Sequence, residues 1–155
     1  MLAEELLRYP AVARLHAAQP EAILDAGFAR QELTLVIAPG AVLKAAHLLR
    51  DELGFDLLSD ITCVDWYPGD PRFEVVYHLY ATGSHQFLRF KVRTAESTAV
   101  DSLIPVWPSA NWFEREVWDL FGVRFVGHPE LHRMLMPNDW KGHPLRKDYP
   151  VEGYR

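Results

Sequence analysis

The sequence predicts an α+β fold: a mainly antiparallel sheet with helices packed on one face, followed by an extended, irregular C-terminal arm. Three observations predict it. Apolar positions at helical spacing alternate with branched, strand-like runs in the first half of the chain. Two alternating segments joined by a short polar turn read as a hairpin. Residues 114–150 are dense in Trp, Phe, His, Arg and Pro, yet after the first turns they follow neither the helical nor the strand period. At 155 residues the chain is one domain by length. Within it we distinguish an α+β body, residues 1–122, from an interaction arm, residues 123–155.

The elements follow in order. Residues 2–18 have helix-forming composition, with Leu2, Leu6, Leu7, Val12 and Leu15 as apolar positions, and Pro10 breaks, kinks or restarts the segment. Residues 22–28 are ambiguous, with Gly27 as a turn candidate. Residues 32–38 (ELTLVIA) form a strand. Val42, Ala45, Ala46, Leu49 and Leu53 mark a helix over 41–53, closed by Gly54. Residues 57–66 (LLSDITCVDW) form a strand with Ile61, Cys63 and Asp65 on one face, ended by the turn signal YPGDP. Residues 72–81 alternate as a half-buried strand, and a Thr82–His85 connection returns residues 86–93 as its partner, with Phe87, Arg89, Lys91 and Arg93 on one face and Leu88, Phe90 and Val92 on the other. Residues 99–104 read as a short helix. Ser109 is placed as the N-cap of a helix with the stripe Phe113, Val117, Leu120 and Phe121, ended by Gly122. Residues 123–126 form a short strand, and the chain beyond is extended. Sequential strands with short connections imply antiparallel pairing.

Composition narrows the function. No apolar run reaches the roughly 18 residues of a bilayer-spanning helix, and the acidic start MLAEELLRYP predicts no signal peptide. The single cysteine, Cys63, reads as a buried small hydrophobe and cannot supply a four-cysteine metal or cluster site. A reducing compartment fits. The net charge of −5 argues against non-specific nucleic-acid binding. Residues 123–155 carry six basic and four acidic side chains, against ten and seventeen in the rest. The mildly basic arm is expected either to meet an acidic surface or to fold back on its own acidic body.

No phosphate loop, dinucleotide fingerprint or nucleophile elbow is present. His128 and His132 have helical spacing and His143 follows, but Pro129 lies inside the pair and two of the three histidines precede proline. Backbone hydrogen bonding in an irregular arm is the expected role of these histidines, with a His-dependent metalloenzyme as the rival reading. Arg115 and Asp119 are four residues apart and are expected to pair. Glu114, Glu116 and Asp119 precede Arg133, Arg146 and Lys147, which suggests a carboxylate clamp for arginines of the arm. Core packing can absorb one or two of Trp107, Trp112, Trp118 and Trp140, but the four together, alongside several prolines, favour a large contact between chains. Removing residues 127–155 is expected to leave the body folded but to abolish assembly.

Several of these residues carry a family resemblance. Glu114-Arg115-Glu116, Asp119, Leu120-Phe121 and His128 match a signature in which Glu-Arg-Glu, an acidic residue and two apolar residues precede a His. Gly142 through Pro150 read GHPLRKDYP, and the segments DITCVDW at 60–66 and SANW at 109–112 also match. Over residues 55–150 the chain resembles the 30 kDa subunit family of proton-pumping NADH:quinone oxidoreductase, respiratory complex I. It departs at His132, where that family carries Lys, Arg or Pro. The resemblance implies a non-catalytic subunit of the peripheral arm, on the cytoplasmic side of the membrane, docked on the hydrogenase-large-subunit-like chain that helps form the quinone site. It implies no cofactor in this chain, with FMN, iron–sulfur clusters, NADH and quinone used elsewhere in the complex. The implied interface and motif residues are Glu114, Arg115, Glu116, Asp119, Phe121, His128, Pro129, Arg133, Trp140, His143, Pro144, Arg146, Lys147, Asp148 and Tyr149. Subunits of membrane-bound hydrogenases and of the ferredoxin–plastoquinone relative resemble the same pattern.

Overall fold

Five strands form one sheet in the order β1-β2-β5-β4-β3. The strands are β1 (Ile23–Ala29), β2 (Glu32–Ile37), β3 (Leu57–Asp65), β4 (Phe73–Ala81) and β5 (Gln86–Thr94). The structure, a computed structural model, describes residues 4–154. All neighbours are antiparallel except β2 and β5. The three pairs joined by short connections are antiparallel, as expected, and the parallel pair joins strands distant in the sequence. After β2 the chain crosses one face of the sheet through α2 (Val42–Asp51) and enters the far edge as β3. The meander β3-β4-β5 then brings β5 back alongside β2 in the same direction. The class is α+β, as expected.

Helix α1 (Pro10–Ala18) begins with proline at its first position, where a missing N–H costs nothing, so Pro10 restarts the chain after a 3-10 turn at Glu4–Arg8. Leu2 lies outside the described residues. Val12 and Leu15 of α1 and Val42, Ala45, Ala46 and Leu49 of α2 are buried against Leu35, Ile37, Val75, Tyr77, Leu79, Phe90 and Val92. Helix α3 (Ala110–Phe121) runs beside edge strand β3.

The ambiguous segment at 22–28 is strand β1. Its hairpin with β2 turns on Arg30 and Gln31, both left-handed at φ 54 and 67°, although neither is the Gly or Asn that usually announces such a turn. Strand β4 is buried on both faces along its first half, not half-buried. Glu74 is 2% exposed because Lys91 Nζ at 2.9 Å and Arg93 Nε at 3.0 Å lie over it from β5. The expected helix at 99–104 is instead the strand β6 (Val100–Asp101), which pairs in parallel with β7 (Phe125–Val126). Val100 N–H donates to Arg124 O at 2.9 Å and Ser102 N–H to Val126 O at 2.9 Å, so tertiary pairing overrides a weak local preference. This small ribbon roots the arm. From Gly127 to Tyr154 the described chain has turns and bends but no helix or strand.

Candidate functional site

The motif residues converge where α3, the β3–β4 turn and the arm meet. Asp119 is the centre. Its side chain is fully buried on α3, and Oδ2 accepts the N–H groups of Met134 (3.1 Å), Leu135 (2.7 Å) and Met136 (2.9 Å). Oδ1 accepts Arg133 at 2.7 Å. Burial alone would raise this carboxyl; the three N–H donors and the guanidinium outweigh it and hold the group below its usual value. Arg133 also donates to the carbonyls of Trp140 and Gly142, both at 2.8 Å, and lies 5.6 Å from the Trp118 ring centroid. One carboxylate and one guanidinium therefore fix residues 133–142 against the helix.

This arrangement corrects two expectations. Arg115 does not pair with Asp119, because Arg133 of the arm occupies that carboxylate. Arg115, 8% exposed, instead donates to the carbonyls of His132 (3.3 Å) and Arg133 (3.4 Å) and stacks over Trp112 at 4.9 Å. Glu114 is not at the arm at all. It turns inward, with no exposed surface, and accepts Leu103 N–H at 2.6 Å and Ser102 Oγ at 2.7 Å, tying α3 to the end of β6. Burial pushes its carboxyl from 4.5 up to about 7, against those two donors. Glu116 is half-buried and has no hydrogen-bond or ion-pair partner among the described residues.

A second cluster pins residues 146–148. Asp65, on the inward face of β3, is held bidentately by Arg72 at 2.9 Å through both oxygens and also accepts Lys147 N–H at 2.9 Å. Burial opposes ionisation, but Arg72 and the backbone donors win and lower the carboxyl to about 2. Arg72 reaches on to Asp148 at 2.5 Å and Glu96 at 3.1 Å. Arg146 bonds Glu96 at 2.6 Å and the carbonyl of Phe121, itself half-buried, at 2.6 Å. Sequence reading singled out neither Arg72 nor Glu96. A signal existed for Arg72: Asp65 has core-facing parity on β3, and a buried carboxylate requires a cation.

The histidines have three different tasks. His128 Nδ1 accepts Glu130 N–H at 3.0 Å, so Nε2 carries the proton and donates to Asn111 O at 3.1 Å. His143 donates Nδ1–H to Asp119 O at 2.9 Å and meets Trp118 edge-on at 6.0 Å; burial, then the nearby Arg146 and Arg133, lowers its basicity. His132 is exposed. Pro129 is exposed and Pro144 half-buried. Tyr149 donates to Lys141 O at 3.4 Å and packs edge-on against Tyr154.

The tryptophans divide as well. Trp107 is core, 3% exposed, and its Nε1 donates to Phe55 O at 3.0 Å. Trp118 is half-buried under the arm. Trp112 and Trp140 remain exposed at 60 and 41%. Of the two fates expected for the basic arm, folding back on the body holds for its arginines 133 and 146.

Sequence comparison gives this architecture a family. The profile described as "Respiratory-chain NADH dehydrogenase, 30 Kd subunit" matches residues 35–155. An NADH-quinone oxidoreductase subunit from Citrifermentans bemidjiense is 43% identical over 144 residues, 92% of this chain and 89% of that one. Its namesake from Roseiflexus sp. is 46% identical over 141 residues, 89% of this chain and 81% of its own. Among solved structures, a chain of the membrane-bound sulfane sulfur reductase, an archaeal respiratory membrane complex, aligns with TM-score 0.77 at 26% identity, covering 90% of this chain and 84% of that one. With the helix-and-arm motif intact and a family match across most of its length, the chain belongs to the family of the 30 kDa subunit of respiratory-chain NADH dehydrogenase.

Proposed function

We propose that this chain is a non-catalytic, structural subunit of a proton-translocating NADH:quinone oxidoreductase, seated in the peripheral arm on the cytoplasmic side of the membrane. Electrons pass from NADH to quinone through other subunits, which hold FMN and the iron–sulfur clusters. This chain's task is to present a preformed surface to the hydrogenase-large-subunit-like chain. The observation that carries the reading is the Asp119 hub. A fully buried carboxylate takes three consecutive backbone N–H groups and Arg133. The motif thus builds a rigid display, in which Asp119 and His143 hold the arm and Glu114 ties α3 to β6 behind it. Ordering the loop before association lowers the entropic cost of binding.

A second reading rests on the likeness to the sulfane sulfur reductase chain, whose host is an archaeal respiratory membrane complex. In it this chain is the equivalent subunit of a membrane-bound hydrogenase or ferredoxin-driven relative. Affinity purification of the tagged chain from detergent-solubilised native membranes separates the two. Co-purification of a hydrogenase-like large subunit together with flavin-binding NADH dehydrogenase chains is the expected result. The large subunit without the NADH module would select the second reading, and recovery of the chain alone would defeat both.

A further inference from the structure

We propose that a hollow of about 570 Å³ in the body, remote from the arm, binds an uncharged aromatic molecule with one hydrogen-bonding edge, a hydroxyl or a carbonyl. The proposal stands apart from the subunit reading above. The hollow lies where the β1–β2 turn, the β4–β5 turn, the start of α1 and the chain just after α2 meet, at the opposite end of β4 from Arg72. Its volume falls within the roughly 300–1,000 Å³ typical of small-molecule sites. Its floor is apolar and belongs to the core, with Leu33, Phe55 and Leu88 buried. Its walls are aromatic. Tyr9 and Phe28 stack with centroids 4.8 Å apart, and Phe28 and Phe87 are 46 and 64% exposed. Aromatic side chains left open around an apolar floor offer ring faces to a flat guest.

Two further observations distinguish this hollow from a gap between turns. The first is its charge: none of the lining residues is Asp, Glu, Lys or Arg. The neighbouring Arg8 guanidinium donates to Tyr9 Oη at 3.0 Å and lies over that ring. An ionised guest would lose water without gaining a counter-charge, so the lining selects a neutral one. The second is backbone strain. Among the described residues, the non-glycine positions with positive φ are Arg30, Gln31 and His85, at 54, 67 and 55°. Gln31 and His85 line the hollow and Arg30 precedes Gln31 in the turn. Glycine would take these conformations freely. It would also remove the side chains that give the rim its polar edge, the Gln31 amide and the His85 ring, which Tyr80 Oη fixes through Nδ1 at 2.9 Å. Left-handed residues held beside an open cavity are a feature of ligand clamps.

The test is titration of the full-length chain with 2-naphthol, followed by amide NMR shifts, beside naphthalene-2-sulfonate and 2-naphthylmethylammonium. Saturable shifts confined to the surroundings of the hollow, Gln31, Ser84 and Phe87 among them, are expected. Each charged analogue should bind at least about tenfold more weakly. Phe87→Ser, at an exposed position, should keep the far-ultraviolet dichroism of the parent and weaken 2-naphthol about tenfold. Gln31→Gly should also weaken binding while raising the melting temperature, because glycine relaxes the turn. The absence of saturable shifts, shifts scattered over the surface, equal or tighter binding of either charged analogue, or undiminished binding in both variants would each overturn the proposal. So would protection of Phe87 from hydroxyl-radical oxidation in the assembled complex without 2-naphthol, which would assign the hollow to a neighbouring chain. Each of these outcomes leaves subunit membership intact.

Discussion

Glu114 and Asp119 lie five positions apart on one helix and titrate in opposite directions. Glu114 has two donors in an otherwise apolar site, and burial lifts it from 4.5 to about 7. The folded chain therefore holds this proton more tightly than the unfolded chain. The stabilisation from the protonated form is complete below the unfolded value and is lost as pH rises through about 7, a change of about 3 kcal/mol. Glu114→Gln keeps the shape and cannot ionise, so it is expected to be the more stable protein near pH 8 and to show a flatter denaturation midpoint between about pH 5 and 8. An unchanged slope would assign the titration elsewhere. Asp119 is the reverse case, ionised because Arg133 and three N–H groups demand it. Asp119→Ala leaves a guanidinium and three backbone donors without their acceptor and is expected to cost about 3–5 kcal/mol in urea unfolding. Amide exchange of Met134–Met136 should accelerate in step. The order of charges in the sequence suggests an arginine of the arm for Asp119, and Arg133 fills that place, but nothing in it announces the donors of Glu114. Helical spacing matches Arg115 to Asp119, whereas the actual cation comes from 14 residues downstream, a distance that no local rule measures.

Gly122 shows what elements reveal in sequence and what they conceal. It is legible as a helix end, and it is left-handed at φ 81°. Its second role is not legible: an added Cβ would collide with Arg146 Nη2 and stand 2.6 Å from the His143 ring. Gly122→Ala is therefore expected to cost more than the roughly 1–2 kcal/mol of a left-handed residue alone, because Arg146 and His143 must leave Phe121 O and Asp119 O. A melting-temperature loss no larger than that of a solvent-exposed helix-end glycine would show that the arm gives way easily. Ser109 does stand at the start of α3, yet its hydroxyl donates to Leu58 O at 3.4 Å instead of capping the helix. The periodic strands β2, β4 and β5 were readable because one face of each meets the helices. The β1 turn and the β6–β7 ribbon were not, since their conformations are imposed by partners distant in sequence. The same distance sets what the body loses when residues 127–155 are removed. That deletion removes Arg133 from Asp119, Asp148 from Arg72 and Arg146 from Glu96. The truncated chain is expected to unfold well below the parent temperature, and an unchanged transition would make the arm energetically separate.

On the scale of the molecule, body and arm behave as one cooperative unit if the two charged clusters couple them. The Asp119 hub joins the arm to α3, and α3 is tied inward to β6 through Glu114. The Asp65–Arg72 pair joins the arm to the β3–β4 turn, and β3 and β4 are core strands. Separating arm from body thus leaves buried charges unpaired at two places, which is costlier than breaking exposed pairs. The intact chain at neutral pH is accordingly expected to unfold in a single thermal transition. Amide protection of Met134–Met136, which reports the arm, and far-ultraviolet dichroism, which reports the sheet and helices, should give the same midpoint. Acidification should separate the two signals, since protonating Asp65, Asp119 and Asp148, whose carboxyls are all held low in the folded chain, weakens both clusters while leaving the apolar contacts between helices and sheet in place. The arm signal is then expected to be lost first as pH falls below the unfolded carboxylate range toward the depressed folded values. Two midpoints at neutral pH would show instead that the arm is ordered independently of the body, and the preformed display would then depend on the partner chain.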